Sequence, residues 1–226
     1  MKHFLFAAVL VLSSTISFAQ RQFTVEIEED TIPNMPAVHS GVVVSLNGKW
    51  LIIGGRTNGL HGFQPPFAFP TYNRNDSLFV IDPVTNQIWR SDASVLPDSV
   101  FEAVCSSNMQ YVLYHDTLIM VGGYGWKNSV NDFVTFPTLT IIDANGLMNA
   151  LINNQPINSF FRQVHDERMA VCGTHMFFMN NIFYLPFGQR FDGIYSQING
   201  GGGFFTQHYT CAINSFSIAD NGGNNI

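Results

Sequence analysis

Charged side chains are scarce in this sequence of 226 residues, in which Asp, Glu, Lys and Arg together make up 12%, about half the share usual in soluble proteins. No run of Lys or Arg is present and the formal net charge is −6. Binding to nucleic acid is therefore not predicted, because phosphates are neutralised by clustered cations. No apolar run after residue 20 is long enough to span a bilayer, so no membrane insertion is predicted. Hydrophobic residues nevertheless account for 46% and aromatic residues for 14%, which indicates a globular protein with a large core.

Cysteine is also scarce, with three occurrences at Cys105, Cys172 and Cys211. They lie far apart and form no CxxC pair, so the pattern indicates neither a metal site nor a redox site, and no cofactor is predicted. An odd number leaves at least one free thiol. A disulfide between two of them is an open alternative, but the favoured interpretation is that they are small buried residues near the starts of strands.

The first 20 residues have the features of a secretory signal peptide. A positive charge at Lys2 precedes an apolar stretch from Phe4 to Leu12, and the small-residue end at Ser17-Phe18-Ala19 suits cleavage before Gln20. Residues 1–19 are therefore predicted to be a signal peptide. The mature protein is expected to be periplasmic, at the cell surface or secreted.

A repeat organises the rest of the chain. Two hydrophobic runs end in a glycine pair, Gly54-Gly55 and Gly122-Gly123, and each is followed at a distance by a strand-like run that ends in Asp. The turn before each pair recurs as Asn47-Gly48, His115-Asp116 and Asn180-Asn181, at intervals of 68 and 65 residues. The third copy is degenerate, because Phe187 replaces the first glycine and is predicted to distort the backbone there or to widen the spacing at this place. Similarity at such a period is typical of solenoids and propellers.

The repeats predict an all-β fold. Asn47-Gly48 is a strong hairpin signal between two runs of β-branched and aromatic residues. The predicted strands of the first repeat are Gly41 to Leu46, Lys49 to Ile53, Ser77 to Asp82 and Gln87 to Arg90. Those of the second are Met109 to Tyr114, Thr117 to Val121, Thr138 to Asp143 and Ser159 to Val164. Those of the third are Thr174 to Met179, Ile182 to Leu185 and Ala212 to Ile218. A short helix is predicted at 145–152 from the spacing of its apolar residues.

The first repeat resembles the kelch repeat. Its glycine pair is followed by Asn75-Asp76-Ser77-Leu78, then by Asp82-Pro83-Val84-Thr85-Asn86, then by Trp89. The resemblance is fair in the second repeat and weak in the third. It implies a kelch-type β-propeller with an N-terminal strand and linker at 20–40, blades at 41–105 and 106–170, and a partial blade at 171–226. The long loops and signal peptide look most like secreted kelch-repeat proteins of Gram-negative bacteria.

About three four-stranded blades make an incomplete ring, since propellers close with about four to eight. The chain is therefore interpreted as the N-terminal part of a longer propeller, a fragment, with self-association into a closed ring as the alternative. The alternating segment Phe23 to Glu28 would be the strand that completes the missing last blade.

The resemblance implies a binding module rather than an enzyme, for a protein or carbohydrate ligand. Kelch scaffolds bind through the loops after the glycine pairs, where two arginines, three aromatics and two amides would form one exposed rim for acidic groups and sugar rings. The predicted ligand-binding residues are Arg56, Asn58, Tyr124, Trp126, Gln189, Arg190 and Phe191. The alternative is that the aromatic residues only cover the mouth of the channel.

The alternative function is that of a sugar-modifying enzyme whose site is completed by missing blades, because two enzyme classes share the kelch fold. Galactose oxidase-like copper-radical enzymes need paired histidines and a Tyr crosslinked to Cys, and no such arrangement is recognisable here. After the predicted signal peptide the histidines occur singly, at His39, His61, His115, His165, His175 and His208. Sialic-acid mutarotases need an acid and a base, which His165-Asp166-Glu167-Arg168 could supply, although a solvated surface turn is the favoured interpretation.

Asp30-Thr31-Ile32 and Asp98-Ser99-Val100 resemble the O-glycosylation triplet of some exported bacterial proteins and are predicted to lie in loops. The similar triplets at Asp76 and Asp116 are interpreted as hairpin turns.

Overall fold

The structure is a computed structural model that describes residues 23–59, 67–194 and 206–219. Residues 1–31 and 32–226 form two separate units. Of the first unit, residues 23–31 are described, and they are exposed and carry no helix or strand. The strand predicted over Phe23 to Glu28 is thus not formed here, because an extended segment becomes a strand through hydrogen bonds to a neighbouring strand. The predicted signal peptide lies outside the described residues.

The second unit is all-β, as predicted. Its described part holds fifteen strands in four antiparallel sheets, together with two α-helices. The first repeat sheet has the order β1 (Val42–Leu46), β2 (Lys49–Ile53), β3 (Ser77–Asp82), β4 (Gln87–Asp92). The second repeat sheet has the order β5 (Gln110–Tyr114), β6 (Thr117–Val121), β9 (Thr138–Asp143), β10 (Phe161–His165). The third repeat sheet consists of β11 (Phe177–Met179), β12 (Ile182–Pro186) and β15 (Ile213–Phe216).

The turn predicted before each glycine position is present, whereas Asp76, also interpreted as part of a hairpin turn, directly precedes β3 and lies 23 residues beyond the end of β2. Asn47 and Gly48 have φ of 52° and 74°, His115 has 52°, and Asn180 and Asn181 have 53° and 62°. These left-handed values suit Asn and Gly and turn the chain back on itself within two residues. The strands predicted on either side of these turns are confirmed to within three residues at each end.

The hydrophobic core lies between successive repeat sheets. One cluster joins the first and second sheets, with Leu51, Leu78, Leu118 and Ile142 fully buried. A second cluster joins the second and third sheets through residues such as Leu185. Two helices flank the first cluster, α1 (Asp98–Val104) and α2 (Ala144–Ile152). The helix predicted at 145–152 is α2, whereas α1 was not predicted.

The backbone conformation also repeats, at a residue that lies shortly before the first strand of each repeat sheet. Ser40, Asn108 and Gly173 are spaced at 68 and 65 residues and have φ of 56°, 57° and 66°. The amide of Asn108 donates to the carbonyl of Ser40 at 2.9 Å, and the amide of Gly173 donates to the carbonyl of Asn108 at 3.4 Å. Equivalent residues of successive repeats are therefore hydrogen-bonded to one another.

The glycine pairs are required by the contact with the next repeat. A Cβ on Gly54 would lie 2.9 Å from the carbonyl oxygen of Ser106, and one on Gly122 would lie 1.8 Å from that of Val171. Phe187 has φ of 61°, against 63° and 69° at these glycines. The backbone at Phe187 therefore keeps the conformation of the glycines and is not distorted, while the other predicted outcome, a wider spacing at this place, stays a prediction. The Phe187 side chain is 56% exposed, and within the described chain no further repeat follows the third sheet to meet it.

This conformation predicts an unusual order of stability at position 187. We expect Phe187→Gly to be more stable than Phe187→Ala by about 1 kcal/mol, because both variants lose the ring but only Gly adopts positive φ without strain. Urea denaturation followed by tryptophan fluorescence measures the difference. An Ala variant as stable as the Gly variant would contradict the left-handed backbone at this position.

The segments after the second and third glycine positions form a fourth sheet, which we call the loop sheet. Its order is β7 (Tyr124–Lys127), β8 (Asp132–Thr135), β13 (Gln189–Asp192), β14 (Thr206–Tyr209). The Thr135 hydroxyl joins β8 to β13, because it donates to the carbonyl of Phe191 and accepts from its amide, both at 2.7 Å. These segments were predicted to be binding loops, and the structure makes them strands.

Candidate functional site

The residues that follow the glycine pairs occupy equivalent backbone positions. Arg56 forms a β-bridge with His39, Tyr124 with Ser107, and Gln189 with Cys172. The two members of each bridge are separated by 17 residues in all three repeats. The three predicted binding loops therefore leave their sheets in the same way, and two of them continue into the loop sheet.

Arg56 is buried rather than presented to solvent as predicted, with 4% of its surface exposed. Its Nη2 donates to the carbonyl of Pro70 at 2.7 Å, and its Nε donates to Oδ1 of Asn58 at 3.1 Å. The guanidinium lies 5.0 Å from the centre of the Phe69 ring, a cation–π distance. Burial lowers the pKa of Arg56, and the nearby Tyr124 acts in the opposite direction. Within the described chain no carboxylate lies at salt-bridge distance from it.

Tyr124 is the centre of an aromatic cluster. Its ring stacks on Phe133 with centroids 5.3 Å apart and meets Phe69 and Phe191 edge-on at 5.4 and 5.9 Å. Its hydroxyl donates to the carbonyl of Gly193. Trp126 packs edge-on against Phe133 at 5.3 Å. Five of the predicted site residues thus come together in or beside this cluster, namely Arg56, Asn58, Tyr124, Trp126 and Phe191.

Arg190 does not join this cluster. Successive side chains of a strand point to opposite faces, and Phe191 packs on Tyr124, so Arg190 lies on the other face of β13. Its Nη1 donates to Glu167 Oε2 at 2.8 Å and its Nε donates to Asp192 Oδ2 at 2.9 Å. The Arg190 hydrogen bond lowers the pKa of Glu167. The two predicted arginines are therefore not brought onto one surface.

Gln189, the remaining predicted site residue, is engaged with its neighbours. Its backbone amide and carbonyl both pair with Cys172, and its Oε1 accepts from Nε2 of Gln207 at 2.8 Å. Gln207 lies on β14, so this contact ties the last two strands of the loop sheet together.

Phe69 and Phe133 were missed by the sequence analysis although they hold the cluster together. Phe133 lies in a short strand after Asn131, whose φ of 51° marks a turn. The sequence therefore contains a hairpin signal at Asn131, and this signal could have been recognised. Phe69 lies between Ala68 and Pro70 and belongs to no periodic pattern.

An apolar pocket of about 270 Å³ opens beside the aromatic cluster. Phe69, Tyr72 and Phe133 contribute rings to it, and Pro70 and Ile194 contribute aliphatic surface. Tyr72 is 75% exposed, so its ring is available to a ligand. The arrangement can take up one apolar or aromatic group, and it provides few polar partners.

The charged turn His165-Asp166-Glu167-Arg168 is an ion-pair cluster. Asp166 accepts hydrogen bonds from the Arg168 side chain and amide, which lower its pKa. The pKa of Glu167 is lowered as well. A general acid that works near neutral pH needs a raised carboxyl pKa, so both shifts have the wrong direction for that role.

The three cysteines are free. Cys105 and Cys172 are buried as predicted, and burial raises the pKa of each thiol to about 12. Cys211 is exposed, so its predicted burial is wrong. Asp98 is the first residue of α1 rather than a loop residue, which corrects the loop placement of that glycosylation triplet.

In the described part of the chain, no three His, Cys, Asp or Glu side chains come together as ligands for one metal ion. Neither of the two described helices is long and apolar enough to cross a membrane. The sequence matches no known protein-family profile, and no curated protein sequence is significantly similar to it.

Proposed function

We propose that this chain is an exported kelch-type β-propeller module that binds a protein partner at the apolar pocket beside the loop sheet. Three features support the propeller. The first sheet has the order β1-β2-β3-β4, equivalent residues of successive repeats are hydrogen-bonded, and each glycine pair packs against the next repeat. Repeated antiparallel sheets that pack one after another are what propeller blades would require. Export is supported by the composition of residues 1–19.

Completion of the ring would need a different contact at the third repeat. If a fourth repeat docked on the third as the second docks on the first, a main-chain carbonyl would lie against the Cβ of Phe187. A Cβ added at Gly54 or Gly122 would meet a main-chain carbonyl in the same way. A further blade, whether from a longer chain or from a second copy, would therefore have to sit farther from this corner.

The binding proposal rests on the exposed apolar pocket. The acidic ligand suggested by the sequence loses its support, because Arg56 is buried and Arg190 already binds two carboxylates. An apolar side chain of a protein fits a pocket formed by Phe69, Tyr72 and Ile194. A sugar would need several convergent polar groups. Aromatic residues in such pockets carry much of the energy of protein interfaces.

The test compares Tyr72→Ala with Val84→Ala, which changes a side chain that is 87% exposed in the turn between β3 and β4. Protein, peptide and glycan arrays probed with the mature chain identify a ligand, and biolayer interferometry then gives its affinity for each variant. We expect Tyr72→Ala to weaken binding of a peptide or protein at least tenfold and Val84→Ala to leave it unchanged. Binding that survives Tyr72→Ala would contradict this site, and capture of glycans alone would favour the carbohydrate alternative.

A further inference from the structure

The structure has a second cleft, which is distinct from the apolar pocket. It has a volume of about 690 Å³ and is bounded by α1, the turn between β7 and β8, the connection from β8 to β9, and the end of β10. This volume falls in the range of small-molecule sites. No residue of this cleft belongs to the apolar pocket, so the two sites can be tested separately.

The walls of the cleft are held together by hydrogen bonds between elements. Glu102 of α1 accepts from the backbone amide of Asn128 at 2.9 Å, which fixes the β7–β8 turn against the helix. Gln163 of β10 donates to the carbonyl of Ser99 at 3.3 Å and to the Thr140 hydroxyl at 3.1 Å. These links connect four elements, namely α1, the β7–β8 turn, β9 and β10, so the cleft is formed before any ligand binds.

Glu102 is the central polar group of the cleft. Only 7% of its surface is exposed, although a carboxylate is seldom buried without full pairing. One of its oxygens accepts from Asn128, and the other is not among the buried unpaired atoms of the described residues and keeps contact with solvent. Lys127 lines the same cleft and forms no ion pair with a described residue. An acceptor and a donor therefore remain available on neighbouring walls.

The other lining groups decide the class of ligand. Asp98 and Glu102 are balanced in part by Lys127, which leaves a charge of about −1 when His165 is neutral, so an anion is disfavoured. Hydroxyl groups such as that of Ser129 add both donors and acceptors, and Val164 contributes an apolar wall. Mixed donors and acceptors beside an apolar surface match a molecule with many hydroxyl groups and no charge. We propose that this cleft binds a neutral saccharide of one or two rings, held by Glu102 and Lys127.

The experiment uses the full mature chain and saturation-transfer NMR with a panel of free neutral mono- and disaccharides, with glycine and ethanolamine as charged probes. We expect saturable binding of at least one neutral saccharide. Glu102→Gln should weaken it at least tenfold, because a charge-assisted acceptor is replaced by an amide. Asp116→Asn makes the same chemical change in the exposed β5–β6 turn and should leave binding unchanged.

A steric pair of variants covers the case in which Glu102→Gln perturbs folding. Ser129→Trp places a large ring at the cleft from an exposed position and should abolish binding, whereas Val130→Trp, in the same turn but outside the cleft, should not. The proposal is overturned if no neutral saccharide binds, if only glycine or ethanolamine binds, or if a bound saccharide is retained by Ser129→Trp. Loss of saccharide binding with protein binding retained would separate this site from the apolar pocket.

Discussion

Replacing Gly122 with Ala should cost more than about 3 kcal/mol of unfolding free energy, which exceeds the usual effect of a single substitution. The added Cβ would lie 1.8 Å from the carbonyl oxygen of Val171 and 3.0 Å from that of Met169. Both contacts are with main-chain atoms at the junction of the second and third repeats, so no side-chain rotation can relieve them. The backbone would also be strained, because Gly122 has φ of 69°.

Gly48→Ala is the matched control for this prediction. Gly48 has φ of 74°, and a Cβ there would find nothing within 4 Å. It should therefore cost only the conformational strain, about 1 kcal/mol. Urea denaturation followed by tryptophan fluorescence compares the two variants. Equal losses of stability would show that the second repeat does not press against the third at this carbonyl.

Replacing Arg56 with Ala should destabilise the protein by about 2–4 kcal/mol, because it removes buried hydrogen bonds and packing together. The carbonyl of Pro70 would lose its donor, and the space beside Phe69 would be left unfilled. From the sequence, Arg56 was predicted to lie on an exposed rim, where its loss would hardly affect folding. Burial of the guanidinium reverses that expectation.

Arg190→Ala serves as the control for Arg56→Ala. Its side chain is 37% exposed and its partner Glu167 is 65% exposed, so the loss of these solvated ion pairs should cost less than about 1 kcal/mol. Thermal and urea denaturation of both variants gives the comparison. If Arg56→Ala proves no more harmful than Arg190→Ala, the guanidinium is not buried in solution.

The first repeat was predictable because its signals are local. Asn47-Gly48 allows the left-handed turn between β1 and β2, and the Asp82 carboxylate accepts from the amides of Val84 and Thr85 to shape the turn between β3 and β4. Each interaction joins residues close together in the chain, so the residue types reveal it. The helix α1 escaped prediction because its seven residues, Asp98–Val104, are too few to display a helical period.

The loop sheet could not be predicted in the same way. Its inner strands, β8 and β13, pair at Asp192 and Val134, which belong to different repeats, and the segment after Gly123 contains the Gly, Asn and Ser residues that are typical of loops. A strand is recognised from its own sequence only when its alternation is long enough, and these strands have four residues each. The pairing of β8 with β13 depends on how the second and third repeats pack, which the local sequence does not reveal.

The sequence by itself determined the repeated strands, their turns and the positions of the glycine pairs, because these depend on backbone conformation within a few residues. The tertiary structure decided which residues after those pairs face solvent. Arg56 is enclosed by Phe69 and Pro70, which lie 13 and 14 residues away, and by Tyr124 from the next repeat. Burial is a property of the assembled structure, so Arg56 and Tyr124 are buried whereas Gln189, at the equivalent position of the third repeat, is partly exposed.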